Sequence, residues 1–114
     1  MRPETSKFLH DILDAAGRIV DYTYGKTRDD YLADGKLRDA VQWNFAVIGE
    51  AISQMEKSDP DTAHRITEWH RIIAFRNQLI HGYGVVRHEI TWDIVENKLP
   101  VLRSDAQMLL TADS

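Results

Sequence analysis

The residues best suited to chemistry lie in one stretch, Trp69-His70-Arg71-Ile72-Ile73-Ala74-Phe75-Arg76-Asn77-Gln78-Leu79-Ile80-His81-Gly82-Tyr83. Histidine is the side chain that exchanges protons near neutral pH. His81 can therefore take a proton from a ribose 2′-hydroxyl or return one to a leaving oxygen. Arg76 can hold a phosphate with two hydrogen bonds and stabilise charge as it develops. Asn77, four residues before His81 on a helix, can touch and orient the imidazole or bond the phosphate itself. Tyr83, just past the glycine, offers a hydroxyl and a face on which a base can stack. Together these types suit phosphoryl chemistry on RNA.

On a helical wheel with Ile72 at zero, Phe75, Leu79, Trp69, Ile73 and Ile80 form an apolar arc, and Arg76 falls inside it at about 40°. A guanidinium placed there must snorkel out or find an acceptor, because an unpaired buried charge is too costly. Glu50, on the preceding long helix, is the candidate acid. His70, Asn77 and His81 gather at about 140–180°. Arg76 and His81 are thus about 140° apart, so one helix does not aim both at one point. Two copies of the chain, meeting at a shared cleft, would.

The elements that must position these residues read as helices. Phe8, Ile12, Ala15, Ile19 and Tyr22 step by three and four, predicting a helix that ends near Gly25. A short turn from Thr27 to about Ala33, opened by the solvated Asp29-Asp30, stops at Asp34-Gly35. A second long helix runs from about Lys36 to Glu56, with Val41, Phe45, Ile48, Ile52 and Met55 on one side. Trp43, Ala46, Val47 and Glu50 face the other way. A helix apolar on two sides wants two partners, its own core and a further surface such as a second subunit. Ser58-Asp59-Pro60-Asp61 is a loop or a helix start. Thr67 is the expected cap of a third long helix ending at His81-Gly82. The last begins near His88, carries Ile90, Ile94, Val95, Leu99, Leu102, Met108 and Leu109, and should kink or restart at Pro100. No segment alternates long enough to be a strand. The expected fold is an all-α antiparallel bundle of about four long helices with short turns, residues 1–114 forming one domain.

Composition narrows the function classes. The chain has 114 residues, 43% hydrophobic, with no cysteine, so disulfides, zinc–thiolate sites and cysteine nucleophiles are all excluded. The histidine spacings fit no zinc pattern, and the expectation is no metal and no cofactor. No apolar run reaches membrane-spanning length and the N-terminus lacks a secretory signal, which points to a cytoplasmic protein. The net charge of −4 is no advertisement for nucleic-acid binding, yet residues 64–88 carry four arginines against Glu68 alone. If the protein touches an anion, it does so there. His64, His70 and His88, in the same window, read as surface residues.

Arg76-Asn77-Gln78-Leu79-Ile80-His81-Gly82-Tyr83 resembles the arginine-x4-histidine-x-tyrosine motif of HEPN domains, in particular the HepT-like toxin subgroup. Asp39-Ala40-Val41 to Ile48-Gly49-Glu50-Ala51 resembles that subgroup's second helix. Trp69 precedes the motif at the expected distance, and Trp92-Asp93-Ile94-Val95-Glu96-Asn97-Lys98-Leu99-Pro100 resembles its last helix. The likeness runs from about Ser6 to Leu110. It implies a metal-independent ribonuclease acting as a homodimer, with Arg76 and His81 catalytic in the interface cleft, and Asn77 and Glu50 in support. It also implies a partner, a small MNT-type nucleotidyltransferase antitoxin that blocks the toxin. In some pairs it does so by adenylylating the motif tyrosine, here Tyr83.

Other readings of the same residues stay open at this level. His81 fits a helix-end histidine bonded to carbonyls and favoured by the helix dipole. Arg76 fits a structural arginine paired to Glu50, and Tyr83 a core or interface aromatic. The whole chain also fits a non-catalytic helical dimer that binds a nucleotidyltransferase or a nucleotide.

Overall fold

A computed structural model describes residues 1–112; Asp113 and Ser114 lie outside the described residues, as does the side chain of Tyr83. The described residues form α1 (Pro3–Thr23), α2 (Arg28–Ala33), α3 (Gly35–Ser58), α4 (Pro60–Ala63), α5 (Trp69–His81), α6 (His88–Asn97) and α7 (Leu99–Ala112). A 3₁₀ turn, Tyr83–Val85, joins α5 to α6, and no strand occurs among them. The all-α expectation holds.

The core is built on α3. Its stripe Val41, Phe45, Ile48, Ile52 and Met55 is buried, and Leu9, Ile12, Ala15, Ala16 and Ile19 of α1 pack against it. On another side α3 receives α5, while α7 closes over α1 with Leu102, Ala106 and Leu109. Some stripe positions fall outside the core: Tyr22, Ile90 and Met108 are exposed. Periodicity ranks faces but does not say how far the neighbouring helix extends.

Helix ends follow local chemistry. Thr27 and Asp30 form a reciprocal capping box on α2. Asp34 does not merely stop that turn; its carboxylate accepts from the Leu37 N–H and so starts α3. The α6–α7 break comes at Lys98, because Pro100 has no N–H for the Glu96 carbonyl and its ring crowds that oxygen. The cap expected at Thr67 is a correction. The residue before α5 is Glu68, in left-handed backbone (φ 58°), and it makes no side-chain cap. Thr67 instead donates its N–H to the Asp105 carboxylate of α7 at 2.8 Å. A tertiary acceptor has replaced the local one.

Asp59 shows how one carboxylate ties elements together. It caps α4 through the Thr62 N–H (3.3 Å) and accepts from the hydroxyls of Thr62 (2.8 Å) and Thr5 (2.9 Å), the latter at the start of α1. These bonds, the Thr62 hydroxyl first, hold its pKa below the ordinary 3.8. Asp59→Ala is expected to cost about 1 kcal/mol at neutral pH. The native carboxylate's contribution is complete above 3.8 and is lost as pH falls through the lowered folded value, so the two proteins should converge in acid. Urea melts at neutral pH and at low pH check both halves. A gap that persists in acid would mean that the charge is not what stabilises.

Candidate active site on the α5 helix

α5 is uninterrupted from Trp69 to His81 and contains no acidic residue, in a chain whose net charge is −4. Ile72, Ile73, Phe75 and Leu79 are half-buried against the core, and no α5 residue is fully buried. The helix therefore lies on the bundle rather than within it, and its outer face, with His70, Ala74, Asn77, Gln78 and His81, is exposed.

Arg76 meets the acceptor that its place in the apolar arc demanded. Its Nη2 donates to Glu50 Oε2 at 2.8 Å, with the arginine side chain 24% exposed and the glutamate 47%. Its Nη1 donates to Asn77 Oδ1, also at 2.8 Å. Glu50 is held in turn by Gln54, whose amide donates to Oε1 at 2.8 Å. The Arg76 Nε is buried and has no hydrogen-bond partner among the described residues. A half-exposed ion pair of this kind adds little net stability, but it fixes where the guanidinium points.

By its spacing Asn77 could orient the His81 imidazole across one helical turn or bond a phosphate itself. Its carbonyl is turned to Arg76 instead, and among the described residues no hydrogen bond joins it to His81. The charged donor is the stronger attraction. His81 is exposed in the last turn of α5, where the helix dipole favours a cation. Gly82 ends the helix, its N–H bonded to the Gln78 carbonyl at 2.8 Å. Tyr83 opens the 3₁₀ turn that follows, and its expected role rests on a side chain outside the described residues. Because α5 is unbroken, Arg76 and His81 remain about 140° apart around its axis.

Next to Arg76 and Glu50 lies an open groove of about 370 Å³, whose walls include Phe8, Trp43, Val47 and Ile80. Trp43 is 70% exposed and Ile80 43%. A tighter apolar pocket of about 250 Å³ sits on the opposite flank of α5, between Phe75 and Ile94, and contains neither Arg76 nor His81. Of the other histidines in the window, His64 stacks on Trp69 (ring centroids 4.3 Å apart) and His70 is exposed. His88 departs from the surface reading: it is half-buried beside Gln42. Among the described residues no group of three or more His, Asp or Glu side chains can hold a metal ion, and no helix is long and apolar enough to cross a membrane.

The family model for HepT-like ribonucleases matches residues 12–109, a span that takes in α1 from Ile12 onward, all of α3 and α5, and the last two helices almost to their end. The chain belongs to the HepT-like ribonuclease family. "Putative RNase MJ0127" of Methanocaldococcus jannaschii is 36% identical over 99 residues, 87% of this chain and 81% of that protein. "Probable ribonuclease HepT" of Thermococcus cleftensis is 29% identical over 109 residues, 96% of this chain and 98% of its own. A longer Methanocaldococcus jannaschii protein, "Gamma-glutamylcyclotransferase and putative RNase MJ0434", is 31% identical over 92% of this chain, which spans 47% of it. No solved structure matches. As a HepT-like ribonuclease the protein is an enzyme whose substrate is RNA. The outward face of α5 carries no acidic residue of its own.

Proposed function

We propose that this HepT-like ribonuclease is the toxin of a toxin–antitoxin pair and cuts RNA without a metal ion. Arg76 and His81 act in a cleft between two copies of the chain. The observation that carries this reading is the setting of Arg76. Glu50 and Asn77 hold its guanidinium beside an apolar groove that the single chain leaves open, with His81 exposed on the same helix.

In the proposed reaction the ribose 2′-oxygen bonds to the adjacent phosphorus and the bond from phosphorus to the 5′-oxygen breaks. His81 takes the 2′-hydroxyl proton, and the imidazolium returns a proton to the departing 5′-oxygen. Arg76 stabilises the charge that gathers on the phosphoryl oxygens. Asn77 and Glu50 keep the guanidinium aimed. The groove with Trp43 and Ile80 at its edge is the proposed dimer contact, since an exposed tryptophan beside aliphatic side chains is typical of an interface centre. Two copies of the 140° arrangement then supply both groups to one phosphate. The cognate partner is an MNT-type nucleotidyltransferase, with the Tyr83 hydroxyl as the group that it adenylylates.

The test is cleavage of RNA by purified protein in EDTA, with the product ends identified. Products ending in 2′,3′-cyclic phosphate or 3′-phosphate are expected. Cleavage only after a divalent cation is added, or 5′-phosphate products, would reject this mechanism. An intact mass distinguishes a protein silenced by adenylylation from one that is inactive unmodified.

One observation favours a second reading. Both terminal nitrogens of Arg76 are already engaged within the chain, as in a structural arginine. In that case Arg76 ties α5 to α3 rather than touching RNA, and Arg76→Ala would lower the melting temperature without slowing cleavage.

A further inference from the structure

Gly49 occupies the middle of α3, buried between the core residue Ile48 and the Arg76 partner Glu50. Glycine inside a helix weakens it relative to alanine, and the freedom that glycine brings is unused here, since Gly25 alone among the glycines has a positive φ. What the position needs is the absence of a side chain. A Cβ at residue 49 would lie 2.2 Å from Arg76 Cβ, 2.7 Å from Arg76 Cγ and 3.4 Å from the Ile72 carbonyl oxygen of α5. Gly17 of α1 is the contrast: nothing lies within 4 Å of a Cβ built there.

We propose that Gly49 is the positioning residue for Arg76, because its bare backbone lets the arginine stem cross α3 at contact and deliver the guanidinium to Glu50. The proposal rests on the role given to Arg76 above. The two closest atoms are the root of the arginine, not its flexible end, so swinging the side chain cannot relieve the overlap. Non-bonded carbons sit about 3.5–4.0 Å apart. Any side chain at 49 must therefore push α5 away from α3 by more than about 1 Å, a displacement of the size that costs an enzyme on the order of a hundredfold. The 2.8 Å bond between Arg76 and Glu50 would be lost, and water would reach the buried Nε.

The test compares full-length Gly49→Ala, Gly17→Ala and Arg76→Ala, using a fluorescently labelled single-stranded RNA of mixed sequence. Gly49→Ala should stay helical and cleave about a hundredfold more slowly, while Gly17→Ala keeps wild-type cleavage. In NMR spectra the Arg76 Nε–H, assigned by its absence from Arg76→Ala, should exchange faster with water in Gly49→Ala and not in Gly17→Ala. A general loss of packing would lower the melting temperature without singling out that proton. The double variant Gly49→Ala/Arg76→Gly moves the single Cβ to the other helix. It should recover most of the melting temperature lost by Gly49→Ala and remain inactive. Undiminished cleavage by Gly49→Ala beside an inactive Arg76→Ala overturns the inference, as does failure of the double variant to regain stability. Wild-type activity in Arg76→Ala rejects instead the role given to Arg76, and the Nε–H exchange then decides whether Gly49 positions the side chain.

Discussion

His81→Ala is expected to slow RNA cleavage by about 10²–10⁴-fold, the range that one general acid–base contributes. It should do so with the fold intact. His81 is exposed at the end of α5, its imidazole makes no hydrogen bond among the described residues, and it belongs to neither the core nor the layer packed on it. Removing its favourable place at the helix C-terminus costs at most about 1 kcal/mol, and only from the protonated form. Circular dichroism and thermal melting beside the cleavage assay separate the two effects. A variant that unfolds would make His81 structural. A folded variant that still cuts RNA would remove it from the site.

If the proposed dimer forms through the Trp43 groove, Trp43→Glu should abolish it and cleavage together. Trp43 is 70% exposed in the single chain, so the substitution removes little from the protomer's own packing. In a two-fold dimer it acts twice, at two or more kcal/mol per anchor lost from an interface centre. A total of about 4 kcal/mol weakens dimerisation nearly a thousandfold. Because Arg76 and His81 face directions about 140° apart, the isolated protomer is expected to be inactive although both residues are present. Sedimentation analysis measures the first effect and RNA cleavage the second. An intact dimer would move the interface elsewhere. A monomer that still cleaves would show that one chain carries the whole site.

The architecture was largely legible because it depends on spacing. The α1 and α3 stripes step at helical period, and both helices end within two residues of expectation: α1 stops at Thr23 against Gly25, and α3 spans Gly35–Ser58 against Lys36 to Glu56. Short elements were less legible. Tyr31, in the six-residue α2, is fully buried against Trp92 with ring centroids 5.3 Å apart, and burial pushes its phenol up to about 12. Six residues are too few for a periodicity to mark which one turns inward. Thr67 had the chemistry of a cap but gave its N–H to Asp105, thirty-eight positions away, a partner that no local rule contains.

The candidate site divides in the same way. The sequence by itself determined that Arg76 lies within an apolar arc and needs an acid, that His81 ends the same helix, and that the two diverge, because helical geometry sets all three. The sequence offered Glu50 as that acid; tertiary structure brought it to 2.8 Å, set Gln54 behind it and turned Asn77 to Arg76 rather than His81. It also decided that Trp43 faces outward and that Gly49 takes the arginine stem at contact distance. These depend on where one helix crosses another, and a crossing is set by side-chain volumes on both surfaces at once.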